Sequence, residues 1–302
     1  MGLFLTRMNN LISAKDDFKR KTVVMLFDEF TYLYIWLKKK LVDEEFMKYF
    51  KAMLNEYDLV AVAAAQDYIG EFISAYPNQF GTTEMIPIDY LSEEAVQLMV
   101  RTPFGKIADW EVFHGKAGDD AIKRIIELTA GSAFFTMIML DRLVDYLNTA
   151  NQPFVTPAVV DRVLKNEILS GNNPLALDKF ESLYNDDGDI SDPYRPVHNL
   201  VLLWAAARAE DGKKGAWAQK DIYIPPEVKI VADLNRDRLS IIVDKLVKRG
   251  VLNRTTGKDE YLHRVGMFKE WLLGNCGPDV INGYHESLKQ QLEEKDKKER
   301  PA

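Results

Sequence analysis

Asp28 and Glu29 are the residues of this chain whose types and spacing most plainly suggest chemistry. They close the run KTVVMLFDEF, residues 21–30, in which Val23, Val24, Met25, Leu26 and Phe27 are continuously apolar. Such a run is the pattern of a buried parallel strand. Ligands of open parallel sheets sit outside the carboxyl ends of the strands. Adjacent carboxylates there can hold a hydrated divalent cation through one member and orient an attacking water through the other. Asp28 is therefore a candidate Mg2+ ligand and Glu29 a candidate catalytic group. The alternative is a strand-to-helix turn in which Asp28 caps the segment starting at Phe30.

Other chemistries lack their residues. The single cysteine, Cys276, excludes a disulfide framework and a cysteine-based metal cluster within one chain, and suits a reducing, cytoplasmic setting. The four histidines are scattered, without a metal-ligand spacing. No run approaches the ~18 apolar residues of a membrane span, and the start MGLFLTRMNN turns polar too early for a signal peptide. No membrane partner is expected. With 302 residues, 47% of them hydrophobic, the chain can form two or three cores. A net charge of −7 argues against a protein that coats nucleic acid, but the charge is uneven. Residues 196–275 carry 14 Lys and Arg against 10 Asp and Glu, or +4, which leaves −11 elsewhere.

The acids need a scaffold, and the periodicity predicts one. Leu5 to Arg20 reads as a helix leading into the Val23 strand. After an aromatic segment, Phe30, Tyr32, Tyr34 and Trp36, a helix over Asp43 to Tyr57 sets Phe46, Tyr49, Phe50, Met53 and Leu54 along one stripe. A second buried strand, Leu59 to Ala65, ends at Gln66 and Asp67, and a third, Glu84 to Ile88, closes the sheet. From Tyr90 the pattern is helical. One helix starts at Ser92, with Glu93 and Glu94 in its first turn, and stops at Thr102 before Pro103. Others span Asp119 to Thr129, ended by Gly131, and Phe134 to Asn148, and a fourth opens at Thr156 and Pro157.

Residues 171–195, with NNP and NDDGDISDP, read as an acidic linker holding a short helix at Leu175 to Tyr184. Helices at Val197 to Glu210, after Pro225 and Pro226, and at Arg238 to Arg249 then precede a hairpin. Its strands are Val251 to Arg254 and Glu260 to His263, around a turn at 255–258. That order matches a winged helix-turn-helix, closed by the amphipathic VGMFKEWLLGN. The tail from Glu286 alternates Lys and Glu, as a solvated helix does. The expected fold class is α/β followed by all-α. The expected parts are a partial α/β nucleotide domain at 1–90, a helical lid at 91–170, a linker at 171–195, a winged helix at 196–275 and a charged tail at 276–302.

The order acidic strand, polar-ended strand, strand, LSEEAVQLMVRTPF, ELTAGSAFFTMIMLDRLVDYLN, TPAVVDRVL resembles the second half of the STAND branch of AAA-like P-loop ATPases. Those signal-transducing NTPases carry a helical lid and a winged helix after the nucleotide fold. The likeness implies an ATP-dependent regulatory switch with ATP and Mg2+ at the strand ends, and is compatible with a homo-oligomer. Asp28 would hold Mg2+ from the Walker B position, Glu29 would orient water and Gln66 would report the γ-phosphate; the alternative for Gln66 is that it caps or hydrogen-bonds the turn that follows it. The lid's glycine-proline pattern maps onto Gly131, Ser132, Ala133 and Phe134, with Gly131 near the nucleotide and Ala133 replacing proline. His263, in YLHRVG, matches a histidine that reaches the phosphates, or is an ordinary histidine of the wing strand.

The phosphate loop itself, GxxxxGK followed by Ser or Thr, is missing. Gly2 is the only glycine before Gly70, and no Gly-Lys pair, at Gly105, Gly115, Gly212 or Gly257, is followed by Ser or Thr. A βαβ unit takes ~30 residues or more, whereas 22 precede Val23. The chain is thus expected to be a piece of a longer protein, to receive that half from a partner protein, or to be a decayed scaffold. The alternative function is a non-hydrolysing DNA-binding or scaffold protein. From Arg236 to Lys258 there are seven basic residues, Arg236, Arg238, Lys245, Lys248, Arg249, Arg254 and Lys258, against two acids, a set suited to DNA-backbone contacts.

Overall fold

A parallel pair of five-residue strands carries the acidic turn. In the computed structural model, which describes residues 23–56, 59–65, 69–107, 111–170, 175–185, 192–256 and 259–299, β1 (Val23–Phe27) pairs with β2 (Leu59–Ala63) in register from Val23 opposite Leu59 to Phe27 opposite Ala63. The expected helix over Leu5 to Arg20 lies outside the described residues. The described residues fall into two compact units that part between Pro87 and Ile88.

In the first unit, α1 (Thr31–Lys38) and α2 (Glu45–Glu56) form the crossover between the strands, and α3 (Ile69–Ala75) and α4 (Pro77–Phe80) follow. The core is aromatic. Phe30 stacks on Phe72 at 5.6 Å, Tyr34 stacks on Phe72 at 5.0 Å, and Phe27 meets Phe50 edge-on at 5.6 Å. Phe30, Tyr32, Tyr34 and Trp36, expected as an aromatic segment without an assigned element, lie at or within α1. The residues buried there, Thr31, Tyr34, Ile35 and Leu37, keep a helical spacing, while Tyr32 and Trp36 face solvent.

One face of the β1–β2 pair has no cover among the described residues. Val24, Leu26, Val60 and Val62 are 52%, 78%, 46% and 53% exposed. Parallel sheets are ordinarily covered on both faces. The third strand expected at Glu84 to Ile88 is not formed; these residues are exposed, with no strand pairing among the described residues. Their apolar run has a strand's composition, but it bonds to neither strand of the β1–β2 pair.

The second unit is mostly helical. It runs through α5 (Glu93–Ile107), α6 (Gly115–Thr129), α7 (Ala133–Ala150), α8 (Pro157–Val163), a π-turn at Leu164–Leu169, a 3-10 turn at Leu177–Phe180 and α9 (Glu181–Tyr184). Then come α10 (Arg195–Lys213), α11 (Arg236–Lys248), the antiparallel hairpin β3 (Leu252–Arg254) and β4 (Tyr261–His263), α12 (Gly266–Asn275) and α13 (Pro278–Glu299). Trp217 joins the hairpin through a reciprocal pair of bonds with Tyr261, at 3.0 and 2.7 Å.

Two start signals act as the sequence predicts: Ser92 accepts from Ala95 N–H and Thr156 from Val159 N–H. Ser132, not expected as a cap, accepts from Phe135 N–H. The stop at Thr102 does not hold, because α5 continues through Pro103 to Ile107. Val100 and Phe104, buried on either side of the proline, hold the helix across it. The α-helix expected after Pro225 and Pro226 is a 3-10 turn, Lys229–Asp233. The C-terminal helix is regular to Glu299 and exposed in its later turns, whereas Ile281 at its start is wholly buried. No described helix is long and apolar enough to cross a membrane.

Candidate functional site

Pairing of the two strands continues for one step past β1 and β2. Ala64 N–H donates to Phe27 O at 2.8 Å, and Phe30 N–H donates to Ala64 O at 2.9 Å. Between those anchors Asp28 and Glu29 must turn the chain within two residues. Glu29 takes the strain, with φ at +53°, a left-handed conformation that costs an L-residue roughly 1 kcal/mol or more. Asp28 Oδ1 accepts the Glu29 N–H at 2.9 Å. The residue at the N-cap of α1 is Phe30, without a side-chain cap, so Asp28 does not cap that helix. Its carboxylate braces the turn through Oδ1.

Both acids are exposed at the carboxyl end of β1. Among the described residues there is no group of three His, Cys, Asp or Glu that could enclose a metal ion. A cation at Asp28 would therefore draw most of its ligands from water and from a ligand's oxygens, which is how Mg2+ usually binds with a nucleotide. Gln66 lies outside the described residues. The chain reaches it from Ala64 and Ala65, at the end of β2 bonded to the acidic turn.

Gly131 has a conformational reason for its identity. Its φ is +79°, and a Cβ there would lie 2.3 Å from Leu91 O. Leu91 N–H donates to Gly131 O at 2.8 Å, so the residue clasps the segment before α5 against the turn before α7. Ser132 then caps α7, and Ala133 is its first residue.

His263 lies inside the second unit, with its side chain 1% exposed. Nδ1 is 2.9 Å from Glu210 Oε2 and Nε2 is 3.1 Å from Leu203 O. Glu210 also accepts from His263 N–H at 3.0 Å and from Lys269 Nζ at 3.2 Å. Burial alone would raise the Glu210 carboxyl, but the hydrogen bonds and charge of His263, with Lys269 behind them, outweigh it and hold the carboxyl below its ordinary range. This cluster fastens α10 to β4 and α12. A phosphate could reach His263 only after the cluster opened.

The basic set after Arg236 is largely engaged within the protein. Arg238 pairs with Asp192, Arg249 donates to Ser182 O and Asn185 O, each at 2.9 Å, and Arg254 pairs with Asp259. Lys245 is half-buried, Arg236 and Lys248 are exposed, and Lys258 lies outside the described residues. The solvent face of α11 presents Asp237, Ser240, Ile241 and Asp244 beside Arg236 and Lys248.

The sequence reading passed over Glu210, Lys269, Asp192 and His198. A signal was there: VHNLVLLWAAA places His198 and Asn199 in an otherwise apolar helix, and buried polar groups need partners. Asn199 finds one in Tyr184 O at 2.8 Å. A cavity of about 850 Å3 lies in the second unit, lined by Arg124, Asp161, Lys165, Leu169, Glu270 and Gly274 among others. Neither acid of the strained turn lines it. Compared with known protein families, curated proteins and solved structures, the chain matches none.

Proposed function

We propose that this chain carries the acidic, metal-facing half of a nucleotide site in a STAND-like ATP switch, with the phosphate-cradling half supplied by polypeptide outside these 302 residues. The observation that carries the reading is the turn itself: two exposed carboxylates at the carboxyl end of a parallel strand, one held in a left-handed conformation. Strain of that kind persists where a structure needs it and collects at functional sites. The bare face of the sheet supports the same reading. A strand, loop and helix added beside β1 or β2 would cover Val24, Leu26, Val60 and Val62 with its crossover helix and bring its loop level with Asp28.

Bound Mg2+-ATP would supply phosphoryl transfer to water. Asp28 would hold the metal, directly or through water, and Glu29 would orient the attacking water. We read residues 196–275 as a winged helix on the strength of the order of their elements, in which α11 is followed by the β3–β4 hairpin. An intramolecular regulatory role suits it better than DNA reading, because Arg238, Arg249 and Arg254 are engaged internally and Asp237 and Asp244 lie on the solvent face of α11.

A fluorescent ATP analogue titrated into the protein as its gene encodes it, with Mg2+ and then with EDTA, tests this. Mg2+-dependent binding, weakened about tenfold or more by Asp28→Asn, is the expected result. Absent binding, or binding indifferent to both EDTA and Asp28→Asn, overturns the reading.

A further inference from the structure

His198 is 1% exposed, and neither of its ring nitrogens has a hydrogen-bond partner among the described residues. Buried polar atoms are almost always satisfied, so an orphaned pair asks for a reason. Nδ1 stops 3.5 Å from Asp192 Oδ2, too long for a good hydrogen bond yet within ion-pair reach. That same oxygen accepts from Arg238 Nη2. Three segments meet here: the stretch before α10 through Asp192, the first turn of α10 through His198 and the first turn of α11 through Arg238. Access to water is graded across them, with side-chain exposures of 2% for His198, 25% for Asp192 and 36% for Arg238.

We propose that His198 is a proton-operated release for the Asp192–Arg238 pair. A neutral ring leaves Asp192 to Arg238. A proton on Nδ1 makes the ring a charged donor directed at Asp192 Oδ2, and two cations then compete for one carboxylate oxygen. The imidazolium cannot reach water without unwinding the start of α10, whereas the guanidinium is already partly solvated. Arg238 therefore yields the oxygen, and the first turn of α11 loses its tie to the segment before α10.

The groups facing the ring set the direction. Burial, and next the Arg238 charge, hold the His198 proton affinity below its ordinary value of 6.5, with Asp192 and Asp233 opposing them. The clasp is thus intact above pH 6.5 and is released as pH falls below it. Stability contributed by the neutral ring follows the same course, complete above the unfolded value and lost as pH falls through the folded one.

A double-mutant cycle of Asp192→Asn and Arg238→Gln in the whole chain, at about pH 7.5 and at about one unit below the His198 midpoint found by imidazole NMR, reads the pair directly. The coupling should raise the folding constant several-fold at the higher pH, fall close to unity at the lower, and persist at both in a His198→Phe background. Imidazole NMR should find His198 titrating below 6.5, and moving up in Arg238→Gln. Coupling equal at the two pH values, or a His198 titration unmoved by Arg238→Gln, overturns the proposal. Should His198→Phe fail to fold, the NMR titration and the cycle in the native background still decide it.

Discussion

The two units treat their polar and apolar groups in opposite ways. Between Val23 and Pro87 a small aromatic core supports a sheet with one bare apolar face, and two carboxylates stand exposed on a strained turn. From Ile88 onward the apolar side chains form one extended core, and Glu210 and His263 are buried and satisfied by partners more than 50 residues away. The contrast is between polar groups buried where they hold the fold and polar groups kept at the surface. Glu210 and Glu29 are the same residue type. Glu210 is buried beside His263 and Lys269, whereas Glu29 is exposed in a backbone conformation that it does not favour.

The largest effect is expected in the second unit. Glu210→Ala strips the carboxylate from a buried pair and leaves His263 and Lys269 without their anion, a loss of about 3–5 kcal/mol in urea unfolding. Acid sensitivity should change with it. Because the Glu210 carboxyl sits below its ordinary 4.5, its contribution is present above that pH and lost as pH falls through the folded value, so the variant's remaining stability should fall less on acidification. A loss under about 1 kcal/mol would mean that the cluster is not the fastening its geometry implies.

In the first unit the sign reverses. Glu29→Gly relieves the left-handed backbone and should stabilise the unit by roughly 0.5–1 kcal/mol while abolishing water activation, if the turn trades stability for chemistry. Destabilisation would instead make Glu29 a structural residue like Glu210. The smallest change is expected on the bare face. Val24→Thr together with Val60→Thr should shift stability by no more than about 0.5 kcal/mol, since neither valine is covered. Binding of an apolar dye to this face should drop, and a large loss of stability would show that the face is covered in solution.

Much of the first unit was legible before any coordinates. An apolar run ending in two acids, followed by a striped helix and a second apolar run, was enough to predict a parallel pair with Asp28 and Glu29 at its carboxyl end. What could not be read was whether Glu84 to Ile88 would join, because a strand exists only when an edge accepts its bonds. The helix α1 was hidden by aromatic residues spaced two apart, and only packing against Phe72 distinguishes the buried Tyr34 from the exposed Tyr32. Arg238, Arg249 and Arg254 read as one basic cluster, yet their partners are Asp192, two backbone carbonyls and Asp259.

The sequence by itself determined what depends on neighbours within about four residues: the caps at Ser92, Ser132 and Thr156, the αL turn at Gly131 and the acidic close of β1. Tertiary structure alone decided which polar groups are consumed. Glu210 and His263 stand 53 residues apart, and Asp192 and Arg238 stand 46 apart. No local pattern encodes such pairings, since each arises only when folding removes water from both partners at once. The acidic turn is the reverse case: its two carboxylates are written in two adjacent letters, and the fold adds the positive φ of Glu29, a conformation shared by Lys40, Ala130, Asn151 and Lys214.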